Sequence, residues 1–261
     1  MLRARLIPCL LVKNGGLVKT VKFADSKYVG DPINAVKIFN EKEVDELMVL
    51  DIGATALGRE PDYVMIRNVA AECRMPLCYG GGVRSVEQAE RIIGMGVEKV
   101  ALSSAAVDEP ALVAGLAESV GRQSVVVVMD VARAANGCEY EIRTHNGSRM
   151  THRAPTEFAI QMEQLGAGEI VINSIDRDGT MLGYDLDLIS QVRDAITLPV
   201  TALGGAGSLD DVRRLVDRFG IIGAAAGSLF VFKGRYRAVL INYPRRLEKE
   251  MLIAWGPRLN D

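Results

Sequence analysis

The stretch "MPLCYGGGVRSVEQAERIIGMGVEKVALSS" (Met75–Ser104) returns, with one inserted residue, as "LPVTALGGAGSLDDVRRLVDRFGIIGAAAGS" (Leu198–Ser228). Pro76 meets Pro199, Gly81 meets Gly204, Gly82 meets Gly205, Ser85 meets Ser208 and Ser104 meets Ser228. Each copy reads as a short apolar strand, a glycine turn, a serine-capped helix and a second short strand. Val86, Ala89, Ile92 and Ile93 line one helical face in the first copy, and Leu209, Val212, Leu215 and Val216 do so in the second. A turn, a cap and a strand end recurring together mark a duplicated unit.

Outward from this unit the same grammar continues. Strands are expected at Leu6–Val12, Leu47–Ile52, Leu77–Gly80, Lys99–Ser103, Val125–Asp130, Glu169–Asn173, Val200–Leu203 and Ile221–Ala226, each an apolar run without polar alternation, as in parallel strands covered on both faces. Helical patterns fill the gaps; the Asp31-Pro32 start predicts a helix ending near Glu43. Eight strand–helix pairs in 261 residues predict an α/β fold, a (β/α)8 TIM barrel made of two fused half-barrels. The barrel spans 1–253, its halves about 1–122 and 123–253, and 254–261 is a tail. Lys13–Asp31 reads as a long loop after the first strand, suited to a mobile flap over a site. Glu139–Arg153, around Asn146-Gly147, reads as a β-hairpin.

Composition narrows the partners. Apolar residues make up 49% of the chain, enough for a large core, and a net charge of −2 with interspersed signs argues against nucleic acid. Cys9, Cys73, Cys78 and Cys138 form no CxxC pair and read as free thiols of a reducing compartment. His145 and His152 stand alone, so no metal site is expected, and no cofactor. No apolar run approaches the ~18 residues of a membrane span, which points to a cytoplasmic protein.

Barrel enzymes work at the carboxyl ends of their strands. There the chain places Gly81-Gly82 with Ser103-Ser104, and Gly204-Gly205 with Gly227-Ser228. Glycine lets backbone N–H groups approach an anion and serine adds a hydroxyl, so each half offers a phosphate cradle. A pair of cradles implies a phosphorylated small molecule with an anion at both ends. Either glycine run alone would equally serve as a tight turn. Between the cradles lie the acids Asp51, Asp130, Asp176 and Asp178. Asp130 closes an otherwise apolar strand, where an idle carboxylate would be costly. Asp178 either reaches the site or belongs to a solvated loop, and Lys19 on the flap either closes over a phosphate or stays in water. The duplication also sets Glu46 on Glu169 and "CLLV" (Cys9–Val12) on "VMDV" (Val128–Val131), so Leu11 faces Asp130. At the amino ends, Arg5, Glu46, Lys99 and Glu169 are either ordinary surface charges or a ring of ion pairs across the barrel floor.

Over nearly its whole length the chain resembles the cyclase subunit of imidazole glycerol phosphate synthase, from histidine biosynthesis. The motifs that carry this are "IPCLLVKNG", "DELMVLDI", "GGGVRS", "SSAAV", "QLGAGEI" and "SIDRDGT" followed by "GYDLDLI". The resemblance implies a two-half (β/α)8 barrel, a glutaminase subunit on its floor, and ammonia passing a gate of four charges that fall on Arg5, Glu46, Lys99 and Glu169. It implies catalysis by two aspartates, one on Asp130 and one on the position held here by Leu11. Asp51, Asp178 and Lys19 are the further catalytic candidates, and Gly82, Ser104, Gly179, Gly205, Gly227 and Ser228 the phosphate-binding ones. Other departures cluster nearby: the family usually has a threonine near Cys78, an asparagine at Ser103, a threonine at Asn173 and a serine at Leu203. Leu11 together with these changes suggests a paralogue that conducts ammonia to a separate sugar amidotransferase forming an acetamidino sugar in surface-polysaccharide (lipopolysaccharide) biosynthesis. The segment "FVFKGRYRAVLINYPRRLEKEM" resembles that branch as well. A working cyclase is the alternative.

Overall fold

The computed structural model describes residues 3–134, 137 and 139–254. The expectations for Cys138 and for the tail beyond Ala254 lie outside these residues. Eight parallel strands close on themselves: β1 (Arg5–Lys13), β2 (Leu47–Asp51), β3 (Leu77–Gly80), β4 (Lys99–Leu102), β5 (Val125–Arg133), β6 (Glu169–Ser174), β7 (Val200–Leu203) and β8 (Gly223–Ala226). β8 returns to β1 with Arg5 opposite Gly223 and Ile7 opposite Ala225, which completes the barrel. This is the (β/α)8 fold expected, with strand boundaries within a few residues of those read from the sequence.

The two-residue period of a strand sends alternate side chains to opposite faces. In β5 the residues Val125, Val127, Met129 and Val131 join the large core under the helices, while Val126 and Val128 join the barrel interior. Asp130 continues the inward set. Ile7, Cys9, Met48, Cys78, Ala101, Val171, Leu203 and Ala225 complete this interior, with Leu11 and Leu50 packed against it. A continuous apolar run is thus a strand with two buried faces.

The outer layer is formed by α1 (Pro32–Glu41), α2 (Tyr63–Glu72), α3 (Val86–Ile93), α4 (Ala111–Val120), α5 (Pro155–Gln164), α6 (Leu186–Arg193) and α7 (Leu209–Phe219). Asp31 caps α1, accepting from Asn34 N at 2.9 Å, and the helix stops at Glu41, two residues before the expected Glu43. Ser208 and Asp211 form a reciprocal capping box at α7. Ser85 accepts from Gln88 N at 3.3 Å, but Gln88 Oε1 accepts from Arg84 N at 2.7 Å, one residue before the cap.

The region Lys13–Asp31 differs from the long loop expected. It is an antiparallel hairpin, Gly16–Val21 with Ala24–Gly30, whose first strand continues the barrel by pairing with β1 at Leu11↔Val18 and Lys13↔Gly16. Asn14 (φ 52°) and Gly15 (φ 77°) make the left-handed turn that folds it back. The second excursion is the hairpin expected: Tyr140–Thr144 pairs with β5, then with Arg149–Met150.

Gly81 (φ +123°) and Gly204 (φ +93°) hold equivalent places after β3 and β7. A Cβ on Gly81 would lie 2.4 Å from Asp51 O, and one on Gly204 would lie 2.7 Å from Ser174 O, so backbone packing alone demands glycine at both. Gly81→Ala should therefore lower the unfolding free energy by about 3 kcal/mol in urea denaturation. A loss below ~1 kcal/mol would mean the turn relaxes freely.

Candidate functional site

At the carboxyl ends of the strands a cavity of about 240 Å3 opens. It gathers residues far apart in the chain: Lys19, Asp51, Gly82, Ser104, Asp130, Asp178, Gly179, Gly205, Gly227 and Ser228 all line it, with Leu11, Leu50, Ser103 and Asn173. Asp176 is not among the lining residues; its Oδ2 accepts from Arg133 N at 2.8 Å.

Asp130 stands on the inner face of β5. Asn173, beside it in register on β6, donates from Nδ2 to Oδ1 at 2.8 Å, and Ser103 Oγ donates to Oδ2 at 2.9 Å. Burial pushes its carboxyl up to about 6, against these two hydrogen bonds and with some help from Asp178. A carboxyl poised there can both take and give a proton near neutrality. In the first half the corresponding neighbours, Leu11 on β1 and Leu50 on β2, pair in register and present only hydrocarbon.

The other acids have different employment. Asp51 Oδ1 accepts from Gly53 N at 2.8 Å and Ala54 N at 3.1 Å, which ties its carboxylate to its own turn. Asp178 reaches the cavity and also holds the tip of the flap hairpin: Oδ2 accepts from Thr20 Oγ1 at 2.7 Å and Phe23 N at 3.3 Å, and its carbonyl accepts from Lys22 N at 3.0 Å. That clasp supports Lys22 (φ 51°) and Phe23 (φ 63°), left-handed residues of a tight turn. Burial pushes the Asp178 carboxyl up.

The hairpin delivers Lys19 into the cavity, where Nζ donates to Cys9 O at 2.8 Å and burial pushes the ammonium down. A Cβ on Gly227 would lie 2.2 Å from Lys19 Nζ. Glycine at 227, the counterpart of Ser103, thus makes room for the lysine. Of the cradle hydroxyls, Ser104 Oγ accepts from His145 N at 3.1 Å, bringing the second hairpin over the first cradle.

At the opposite end the four charges form a closed ring. Arg5 Nη1 pairs with Glu46 and Arg5 Nη2 with Glu169 Oε1 at 2.7 Å; Lys99 Nζ reaches Glu46 Oε1 at 2.8 Å and Glu169 Oε2 at 2.9 Å. Burial pushes the Glu169 carboxyl up, yet Arg5 and Lys99 outweigh it and hold the group below the usual range. Thr201, which the sequence reading passed over, donates to Glu169 Oε1 at 2.5 Å. Its signal was present: a single hydroxyl in the inward phase of "VTAL".

Among the described residues, no group of three or more His, Cys, Asp or Glu side chains could hold a metal ion. Nor is any described helix long and apolar enough to cross a membrane.

The sequence pattern of the histidine biosynthesis protein family matches residues 5–237. A Vibrio vulnificus protein provisionally named imidazole glycerol phosphate synthase subunit hisF3 is 58% identical over 250 residues, 96% of each chain. A Leptospira borgpetersenii protein with the provisional name HisF is 52% identical over 97% of this chain and 99% of its own. The imidazole glycerol phosphate synthase subunit HisF of Hyphomonas neptunium is 46% identical over 89% of this chain and 91% of its own. The chain belongs to the histidine biosynthesis family, as a member of its HisF group.

The raised carboxyl of Asp130 has a consequence for stability. Its folded-state value, about 6, lies above the ordinary 3.8, so the protonated group favours the fold and that contribution is lost as pH rises through 6. Asp130→Asn should match the parent below about pH 4 and exceed it by about 2–3 kcal/mol near pH 8, in urea unfolding at both values. Equal stability at both would contradict a desolvated carboxylate at this position.

Proposed function

We propose that this HisF-group protein is the synthase subunit of a glutamine amidotransferase complex, fed with ammonia by a glutaminase on the amino-terminal face of its barrel. The carrying observation is the ring Arg5–Glu46–Lys99–Glu169. Directly above it the interior is apolar, lined by Ile7, Cys9, Met48, Cys78, Val126 and Val171. Neutral ammonia can cross such a lining, whereas ammonium would lose its hydration. Beneath the ring a depression of about 1080 Å3, lined by Arg5, Lys99 and Glu169 among others, offers a seat for the partner.

In the cavity above, the residues divide the work. Gly82 and Ser104 on one side, and Gly179, Gly205, Gly227 and Ser228 on the other, would cradle anionic ends of a phosphorylated ligand. Asp130 would move the proton. Lys19 would balance phosphate charge or donate a proton, and Asp178 would hold the flap that carries it. Asp51 fits a supporting role better than an acid–base one, since its carboxylate is engaged by its own turn.

The finer reading follows from Leu11 and Leu50. A general acid or base contributes roughly 10²–10⁴ in rate. With hydrocarbon where a second acid is expected, the chain's own cyclisation step would be slow, and ammonia would serve a separate amidotransferase that forms an acetamidino sugar for surface polysaccharide in the cytoplasm. The second reading is a working cyclase of histidine biosynthesis, converting the bisphosphorylated ribulosyl-imidazole precursor and ammonia to imidazole glycerol phosphate and aminoimidazole carboxamide ribotide. Intact glycine–serine cradles favour it, with Lys19 and Asp178 in the same cavity as Asp130. So do the names of the relatives.

Turnover of that precursor with ammonium salt separates the two. On the first reading the parent turns over slowly and Leu11→Asp gains at least ~10²-fold; robust turnover by the parent selects the second. The channel is tested apart from this: Lys99→Ala and Glu46→Ala should uncouple glutamine hydrolysis from consumption of its ammonia, and unchanged coupling would remove the gate from the account.

A further inference from the structure

Within one molecule the duplicated fold supplies its own comparison. Where β5 carries Asp130, its in-register neighbour on β6 is Asn173; where β1 carries Leu11, its neighbour on β2 is Leu50. Acid and amide occur together, and leucine and leucine occur together. Asn173 is 6% exposed, yet its Oδ1 finds no hydrogen-bond donor among the described residues. An unmet buried acceptor is destabilising. The amide nevertheless stands with Nδ2 on the carboxylate and Oδ1 turned toward the backbone beside Gly204, where a Cβ would lie 3.4 Å from it.

We propose that Asn173 is a positioning residue that holds Asp130 Oδ1 as a permanent acceptor and so confines the exchangeable proton to Oδ2, on the Ser103 side. The inference rests on the proton-transfer role assigned above to Asp130, but concerns a residue given no role there.

The chemistry of the two partners makes the assignment. An amide Nδ2 can only donate, so a proton on Oδ1 would confront two hydrogens. A hydroxyl can donate or accept, so Ser103 Oγ serves Oδ2 whether that oxygen is bare or protonated. Asn173 therefore fixes one oxygen, and Ser103 adapts to the other. Among the described residues nothing else facing the carboxylate duplicates this. Asp178, from the loop after β6, adds negative charge; Lys19, from the flap, is bound to Cys9 O, whose own thiol burial pushes up to about 12. Arg143, opposite Asp130 on the second hairpin, is held by Glu141 at 3.0 Å.

The test needs no substrate, so its outcome is independent of which reaction the cavity performs. Asn173→Val and Asn173→Thr have nearly the same shape and differ by one hydroxyl donor. The titration of Asp130 is isolated in each background as the pH-dependent difference in unfolding free energy from the matching Asp130→Asn variant. Asn173→Val should raise the Asp130 midpoint by about one unit, a tenfold change in its ionisation equilibrium, while Asn173→Thr stays near the parent. Equal midpoints in the two variants would overturn the proposal. Infrared difference spectra across the titration test the site of the proton directly, in the parent and Ser103→Ala alone if the valine variant fails to fold. The proposal expects the C=O stretch of protonated Asp130, which is then Oδ1 bonded to Nδ2, to stay in place when Ser103 is removed. A band that moves with Ser103→Ala places the proton on Oδ1 and rejects it.

Discussion

Everything in this barrel depends on the phase of the pleat. Residues two apart share a face, so Arg5, Ile7, Cys9 and Leu11 climb the inside of β1 from floor to cavity. Lys99 and Ala101 on β4, with Ser103 just past its end, do the same, as do Glu169, Val171 and Asn173 on β6. The ion ring, the apolar shaft and the proton-handling cluster are three heights of one inward-facing set. A one-residue slip in β1, β4 or β6 would carry a ring charge into the helix layer, at high desolvation cost.

On that shared frame the matching strand pairs differ in a correlated way. Around Asp130 the strands set an amide, Asn173 of β6, and a hydroxyl, Ser103 just past β4, on the carboxylate. At the matching place on β1 and β2, Leu11 and Leu50 close that possibility, and Lys19 arrives from outside the barrel through the flap. Gly227 is part of the same arrangement, since any side chain there would displace the ammonium. Two kinds of group therefore meet in the cavity: Asp130, an acid built into a strand, and Lys19, a lysine carried by a hairpin.

Much of this was legible beforehand because period and duplication are local properties. Eight apolar runs, paired glycine turns and four charges at strand starts suffice to place floor and cavity. What escaped depended on contacts between distant segments. The sequence contains Asn14-Gly15, a strong hairpin signal, and yet Lys13–Asp31 read as a loop because its second strand, "ADSKYVG", is polar and exposed. Asp51 and Asp178 look alike in sequence; only the fold reveals that one serves its own turn and the other the tip of the flap. Asn173 read as a departure from a family pattern, and its meaning emerged from the register that sets it against Asp130.

The flap hairpin is not a lid on a flexible tether. The strand that carries Lys19 is laddered to β1 through Val18 and Leu17, while its far end is held by Asp178 alone among the acids of the cavity. Such an element behaves as a cantilever, stiff at the root and latched at the tip. Carrying the backbone of Lys19 away from the cavity means breaking that latch and bending the beam, whose root is the strand that also bears Leu11 and, six residues below it, the arginine of the ring.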